Sequence, residues 1–124
     1  MSEKILVVDD EAPIRDLLKE FFKRRGYEVS TAGLASQVAE MVAKESPHLV
    51  ILDLALPDGD GMEILQELKA KDPGLRVLVL TGMGFDEDLL QEARDKGADS
   101  YVSKTLPLDQ LYLEVRRVLK PKKD

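Results

Sequence analysis

Cysteine is absent from the 124 residues. Its absence excludes disulfides, thiolate metal sites and cysteine nucleophiles, and it fits a cytoplasmic protein. Long apolar runs are missing too. Near the N-terminus only the short run Ile5 to Val8 precedes Asp9, Asp10 and Glu11, far below the length of a signal-peptide core or a membrane span. No targeting segment and no membrane contact are expected. Basic residues are in the minority, 18 against 24 acidic ones for a net charge of -6. Such a surface repels nucleic acid and anionic lipid, so direct nucleic-acid binding is not expected. The one histidine, His48, has no second histidine or cysteine with which to form a metal site. Repeats and low-complexity tracts are also absent.

Hydrophobic residues at 44% and charged residues at 34% make an ordinary globular balance. The length suits one domain, expected to span 1–120, with 121–124 either a free tail or the start of a linker. Ile5 to Val8 reads as a buried strand. Ile14, Leu17, Leu18, Phe21 and Phe22 then recur at helical spacing, with Pro13 in the first turn and Gly26 past the end. The alternation continues with strand Tyr27 to Ala32, a helical face of Leu34, Val38, Met41 and Val42, and strand Leu49 to Leu52. A helix with Met62, Leu65 and Leu68 follows, opened by Asp60 and Glu63 at capping-box spacing. Strand Val77 to Leu80, a helix around Leu89, Leu90 and Ala93, strand Ala98 to Ser103 and a last helix from Leu108 to Leu119 complete the series.

Strict alternation of five strands and five helices predicts an α/β fold, a doubly wound parallel sheet with helices on both faces. Strands one, three and four are continuously apolar, whereas strands two and five carry polar residues and are expected at the edges. That agrees with the flavodoxin-like order 2-1-3-4-5.

Ligands of such sheets bind beyond the carboxyl ends of the strands. Asp9 and Asp10 follow strand one, Asp53 ends strand three, Thr81 follows strand four and Lys104 follows strand five. Alone, an Asp-Asp pair is ordinary helix-cap chemistry, and Asp10 is placed to cap the first helix. Asp53 before Pro57 and Gly59 is, alone, ordinary turn chemistry. The signal lies in their convergence. Three carboxylates in one small pocket against one lysine leave a charge deficit that a hard divalent cation would fill, and an all-oxygen donor set favours Mg²⁺. Beside a metal, Lys104 and the Thr81 hydroxyl, Asp53 can act as a nucleophile toward phosphorus.

Val7-Val8-Asp9-Asp10-Glu11, Leu52-Asp53-Leu54-Ala55-Leu56-Pro57-Asp58-Gly59-Asp60-Gly61, Thr81-Gly82 and Tyr101-Val102-Ser103-Lys104 together resemble the receiver domain of two-component response regulators. The likeness covers nearly the whole chain. It implies that Asp53 is the phosphoacceptor and that Asp9, Asp10 and the backbone carbonyl of Ala55 join it in holding Mg²⁺. It further implies that Thr81 and Lys104 contact the phosphoryl group, and that Thr81 and Tyr101 form a conformational switch. The implied donor is a histidine kinase or phosphotransfer protein. Output would pass through the face of helix four, strand five and helix five to an output domain or downstream protein, or to a second copy in a homodimer. The implied catalysis is confined to the chain's own phosphorylation and dephosphorylation. Two positions depart from the family pattern: Leu56 stands where many members have Met, and Thr105 where Pro usually follows the lysine.

Other classes fit less well. A flavin-binding protein of this fold needs a Ser/Thr/Gly-rich phosphate loop where Asp9-Asp10-Glu11 would repel phosphate. A phosphohydrolase similar to the haloacid dehalogenase group usually has a second Asp two residues after its nucleophile, where this chain has Ala55, and the length leaves no room for a cap domain. A receiver that only scaffolds would not need the intact set of Asp9, Asp10, Asp53, Thr81 and Lys104.

Overall fold

The structure, a computed structural model, describes residues 3–82 and 86–120. Five parallel strands, β1 (Lys4–Val8), β2 (Glu28–Ala32), β3 (Leu49–Asp53), β4 (Arg76–Thr81) and β5 (Ser100–Ser103), lie in the order β2-β1-β3-β4-β5. The helices between and after them are α1 (Ala12–Lys23), α2 (Val38–Glu45), α3 (Gly61–Lys71), α4 (Glu87–Asp95) and α5 (Leu108–Leu119). A single 3₁₀ turn, Ala35–Gln37, leads into α2. Ala55–Leu56 and Gly59–Asp60 form a separate antiparallel ribbon between β3 and α3.

Alternation along the central strands divides the core in two. Leu6, Val8, Val50, Leu52, Val77 and Val79 face one side and pack with Val38, Leu65, Leu68 and Ala93 of α2, α3 and α4. Ile5, Val7, Leu49, Ile51, Leu78 and Leu80 face the other, against Leu18 and Phe22 of α1 and Leu111, Val115 and Val118 of α5. Both faces of β1, β3 and β4 are therefore dry, which is why their sequences run continuously apolar. Each such side chain contributes roughly 1.5–3 kcal/mol by leaving water. The two polar strands do occupy the edges, so the expected topology is confirmed.

Differences fall at element ends, where closing a helix competes with extending a strand. Tyr27 and Ala98 stay outside β2 and β5 because their N–H groups return to Phe22 and Ala93 carbonyls at 3.2 and 2.9 Å. Gly26 and Gly97 make those reversals possible with φ of +93° and +99°. Asp99 also precedes β5, although its N–H bonds Val77 O at 2.8 Å. Leu34 is extended rather than helical, its N–H held by Gln37 Oε1 at 3.2 Å. Asp10 does not cap α1. The capping position is Glu11, without a side-chain cap, and Asp9 Oδ1 instead accepts from the Glu11 N–H at 2.9 Å. Asp60 caps α3 as expected, accepting from Met62 N–H at 2.9 Å. The expected tail, 121–124, lies outside the described residues.

The ribbon fits tightly against β3. A Cβ on Gly61 would lie 2.5 Å from Leu54 Cα and 2.7 Å from Asp53 O, so only glycine lets α3 start this close to the end of β3.

Candidate functional site

Among the described residues, the buried polar side chains are Asp9, Asp53 and Thr81, at 0%, 2% and 2% exposure. All three stand at the carboxyl ends of neighbouring strands, because the pairings Val8 with Leu52 and Asp53 with Leu80 put those ends level. Neighbouring strands are about 4.8 Å apart, and carboxylate oxygens of Asp9, Asp10 and Asp53 fall within 4.8 Å of one another. Asp10 is exposed and forms the mouth.

Lys104 reaches back into this pocket from the end of β5. Its Nζ lies 3.0 Å from Asp9 Oδ2, 3.1 Å from Asp53 Oδ2 and 3.2 Å from Glu11 Oε1. Its N–H bonds the Thr81 carbonyl at 2.8 Å, tying the loop to the end of β4. Burial works against the ammonium, but the three carboxylates outweigh it and hold the Lys104 pKa well above the ordinary lysine range. Burial pushes Asp53 the other way for a carboxylate, upward; the Ala55 N–H at 3.1 Å opposes this, Asp9 adds to it and Lys104 opposes it. One lysine thus leaves the cluster strongly anionic.

The donor set fits a hard cation. Asp9 Oδ2 is buried and, apart from its ion pair with Lys104, has no well-aligned hydrogen-bond donor. A buried carboxylate oxygen with so little compensation is the kind of group that a divalent ion satisfies.

The Tyr101 ring packs against the α2/α3/α4 core, and its hydroxyl is buried without a well-aligned partner. Burial raises its pKa; a glancing contact with the Thr81 side chain opposes the rise, and Asp86 adds to it. The hydroxyl is thus turned inward, while the residue as a whole is half-buried. Peptide bonds among the described residues are trans, Lys104 to Thr105 included. The Thr105 N–H donates to Ser103 Oγ at 3.1 Å, a bond that a proline there could not make.

Sequence reasoning brought together Asp9, Asp10, Asp53, Thr81 and Lys104, but it missed Glu11 as a third carboxylate on Lys104. The signal was its adjacency to the acidic pair at the same strand end. It also missed Arg15, whose Nη1 donates to the Asp9 carbonyl at 2.7 Å from one turn into α1. A groove of about 630 Å³ lies between α2 and α3 and includes none of these residues.

Comparison with known proteins agrees with this geometry. Residues 5–116 match the family described as response regulator receiver domain. Sporulation initiation phosphotransferase F of Bacillus subtilis is 40% identical over 119 residues, covering 96% of this chain and 95% of that protein. A probable transcriptional regulatory protein, TcrX of Mycobacterium tuberculosis, is 33% identical over 116 residues, 94% of this chain but 49% of its own length. Among solved structures, a CheY-like receiver domain protein from Methanospirillum hungatei superposes with a TM-score of 0.89 at 29% identity, over 96% of this chain and 94% of that one. The BeF₃-activated N-terminal receiver domain of Klebsiella pneumoniae RstA does so with a TM-score of 0.89 at 28% identity, over 96% and 100%. A level row of acidic strand ends, a lysine folded back on it and a family match over nearly the whole chain lead to one assignment: the chain belongs to the response regulator receiver domain family, a phosphoacceptor module of two-component signalling.

Proposed function

We propose that Asp53 carries the phosphoryl group, that Asp9, Asp10, Asp53 and the Ala55 carbonyl hold Mg²⁺, and that Thr81 and Lys104 bind the phosphoryl oxygens. The observation that carries this reading is the Lys104 Nζ, 3.1 Å from the buried Asp53 Oδ2 where three carboxylates converge.

An Asp53 oxygen donates its electron pair to phosphorus while the phosphorus–nitrogen bond to the donor histidine breaks, the imidazole keeping the bonding pair. The Ala55 N–H on Oδ1 fixes the orientation of the attacking carboxylate. Lys104 takes up charge on the transferring oxygens, and the Thr81 hydroxyl adds a donor at the end of β4. When bound, Mg²⁺ offsets the charge of the carboxylates and of the phosphoryl group. The product is an acyl phosphate, hydrolysable and so suited to a transient signal. Catalysis extends only to the chain's own phosphorylation and dephosphorylation.

Intact mass after incubation with acetyl phosphate and Mg²⁺ should show one added phosphoryl group, and none with chelator. No gain under the first condition would refute the phosphoacceptor reading.

Output is assigned to Thr81 and Tyr101. Phosphoryl oxygens draw the Thr81 hydroxyl toward Asp53, and the Tyr101 hydroxyl, already inward beside it, sinks into the space left behind. The α4/β5/α5 face then changes shape, and with it the affinity for an output domain, a downstream protein or a second copy in a homodimer. Beryllofluoride, which mimics the phosphoryl group, should shift NMR signals of α4, β5 and Tyr101 in the parent and much less in Thr81→Ala. Shifts confined to the pocket in the parent would rule the switch out.

The reading takes 1–120 as one receiver domain, with 121–124 a tail or the start of a linker, working in the cytoplasm with a histidine kinase or phosphotransfer protein as donor. Direct contacts with nucleic acid or membrane form no part of it. Among the described residues, no helix is long and apolar enough to cross a membrane.

A further inference from the structure

Asp58, at the tip of the ribbon, has no role in the chemistry above. Its Oδ1 accepts from the Ala35 N–H at 2.6 Å and its Oδ2 from the Ser36 N–H at 3.1 Å. Those donors open the 3₁₀ turn before α2, and the turn is itself braced: Gln37 Oε1 accepts from the Gly33 and Leu34 N–H groups at 3.0 and 3.2 Å. The two segments are in close contact, since a Cβ on Gly59 would lie 2.6 Å from Ala35 Cβ. The backbone N–H groups of Ala35 and then Ser36 hold the Asp58 carboxyl below the usual carboxylate range, so it is ionised and accepting at neutral pH.

What this contact joins is the two sides of the acidic pocket. On one side, the Asp9 N–H bonds Ala32 O at 3.1 Å, just before the braced turn. On the other, the Ala55 N–H bonds Asp53 Oδ1 at 3.1 Å and the Gly61 N–H bonds Leu54 O at 3.0 Å. The ribbon between has two residues per strand, too few to hold its shape unaided. A continuous path therefore runs from Asp9 through Ala32, the turn, Asp58 and the ribbon to Ala55 and Asp53, and the Asp58 carboxylate closes it.

We propose that Asp58 is a positioning residue: by fastening the ribbon to the turn before α2, it sets Ala55 and Asp53 relative to Asp9 and so sets the affinity for Mg²⁺. The inference rests on the reading that this pocket holds the cation. It is not a ligand itself; it acts as an outer partner whose loss lets the ribbon, and the donors on it, drift.

The test is an Mg²⁺ titration of the full chain, followed by amide NMR shifts, with thermal melts of the metal-free proteins in parallel. The parent should show saturable shifts at Asp9, Asp10 and Asp53 to Ala55. Asp58→Ala should bind roughly tenfold more weakly, the low end for loss of an outer-shell partner. Asp58→Asn keeps one acceptor oxygen and should fall between. Gly59→Ala leaves the carboxylate in place but forces the segments apart, and should weaken binding as well. A purely structural contact would lower the melting temperature without changing the Mg²⁺ affinity of the folded protein, and that result overturns the proposal. Should Asp58→Ala not fold, parent-like affinity in both Asp58→Asn and Gly59→Ala overturns it equally. A parent with no saturable shifts at these residues instead overturns the cation reading, and the positioning role with it, before any variant is compared.

Discussion

Asp53→Asn is expected to abolish phosphoryl acceptance and, in the metal-free protein, to raise the melting temperature. The first effect follows from chemistry: the amide nitrogen and carbonyl of Asn supply no anionic oxygen to attack phosphorus, while the volume is unchanged. The second follows from electrostatics. Asp53 is 2% exposed, and its pKa lies above the ordinary 3.8, raised by burial and by Asp9 against the opposing Ala55 N–H and Lys104. Between 3.8 and that higher value the folded chain keeps a proton that the unfolded chain has lost, so stability falls as pH rises through the window. At neutral pH the ionised Asp53 is therefore a net cost to the fold. Asn removes both the charge and that segment of the pH dependence. Intact mass with acetyl phosphate and Mg²⁺ checks the first effect, and melts from acid to neutral pH in chelator check the second. Labelling of the variant equal to that of the parent would reassign the phosphoacceptor; an unchanged or lower melting temperature would mean that Lys104 fully compensates the carboxylate.

How much of this was legible in the sequence depended on the range of the interaction. Strand identity and order came through because Ile5 to Val8 and Leu49 to Leu52 are apolar at every position, a pattern that only burial on both faces explains, while polar residues in Tyr27 to Ser30 and Asp99 to Tyr101 marked the edges. Asp9, Asp53 and Thr81 were legible for the same reason, each following an apolar run, and Lys104 because it follows the fifth strand at the same end of the sheet. Side-chain reach was not. Glu11 is 57% exposed, yet the Lys104 stem is long enough to bring the ammonium to it. Nothing in the sequence singled out Asp58, because its partners, Ala35 and Ser36, are more than twenty residues away and are backbone groups, which carry no side-chain signature. The rotamer of Tyr101 depends on packing against other elements, which strand periodicity does not encode.

Lys104→Met should slow phosphorylation by roughly 10²–10³-fold, the cost of removing one donor aimed at developing oxyanion charge, and should also destabilise the metal-free protein. Methionine retains the apolar stem beside Gly82, where a Cβ would be 3.5 Å from Lys104 Cδ, so packing is largely kept and the change isolates the charge. Without the ammonium, Asp9 and Asp53, 1% and 2% exposed as side chains, face each other with no cation between them. Removing one partner of a buried pair costs about 3–5 kcal/mol when the remaining charge has no other compensation. Two controls separate stability from catalysis. Saturating Mg²⁺ should restore the melting temperature by binding the folded state but not the rate, because the cation does not take the lysine's place on the phosphoryl oxygens. Adding Asp53→Asn to Lys104→Met should recover stability, giving a strongly non-additive double-mutant cycle. Glu11→Gln should change both quantities little, since an exposed ion pair contributes about 0–1 kcal/mol. If Lys104→Met phosphorylated at the parental rate, the lysine would be only a counter-ion for the resting acidic cluster, and the charge on the phosphoryl oxygens would have to be met by the cation and Thr81 alone.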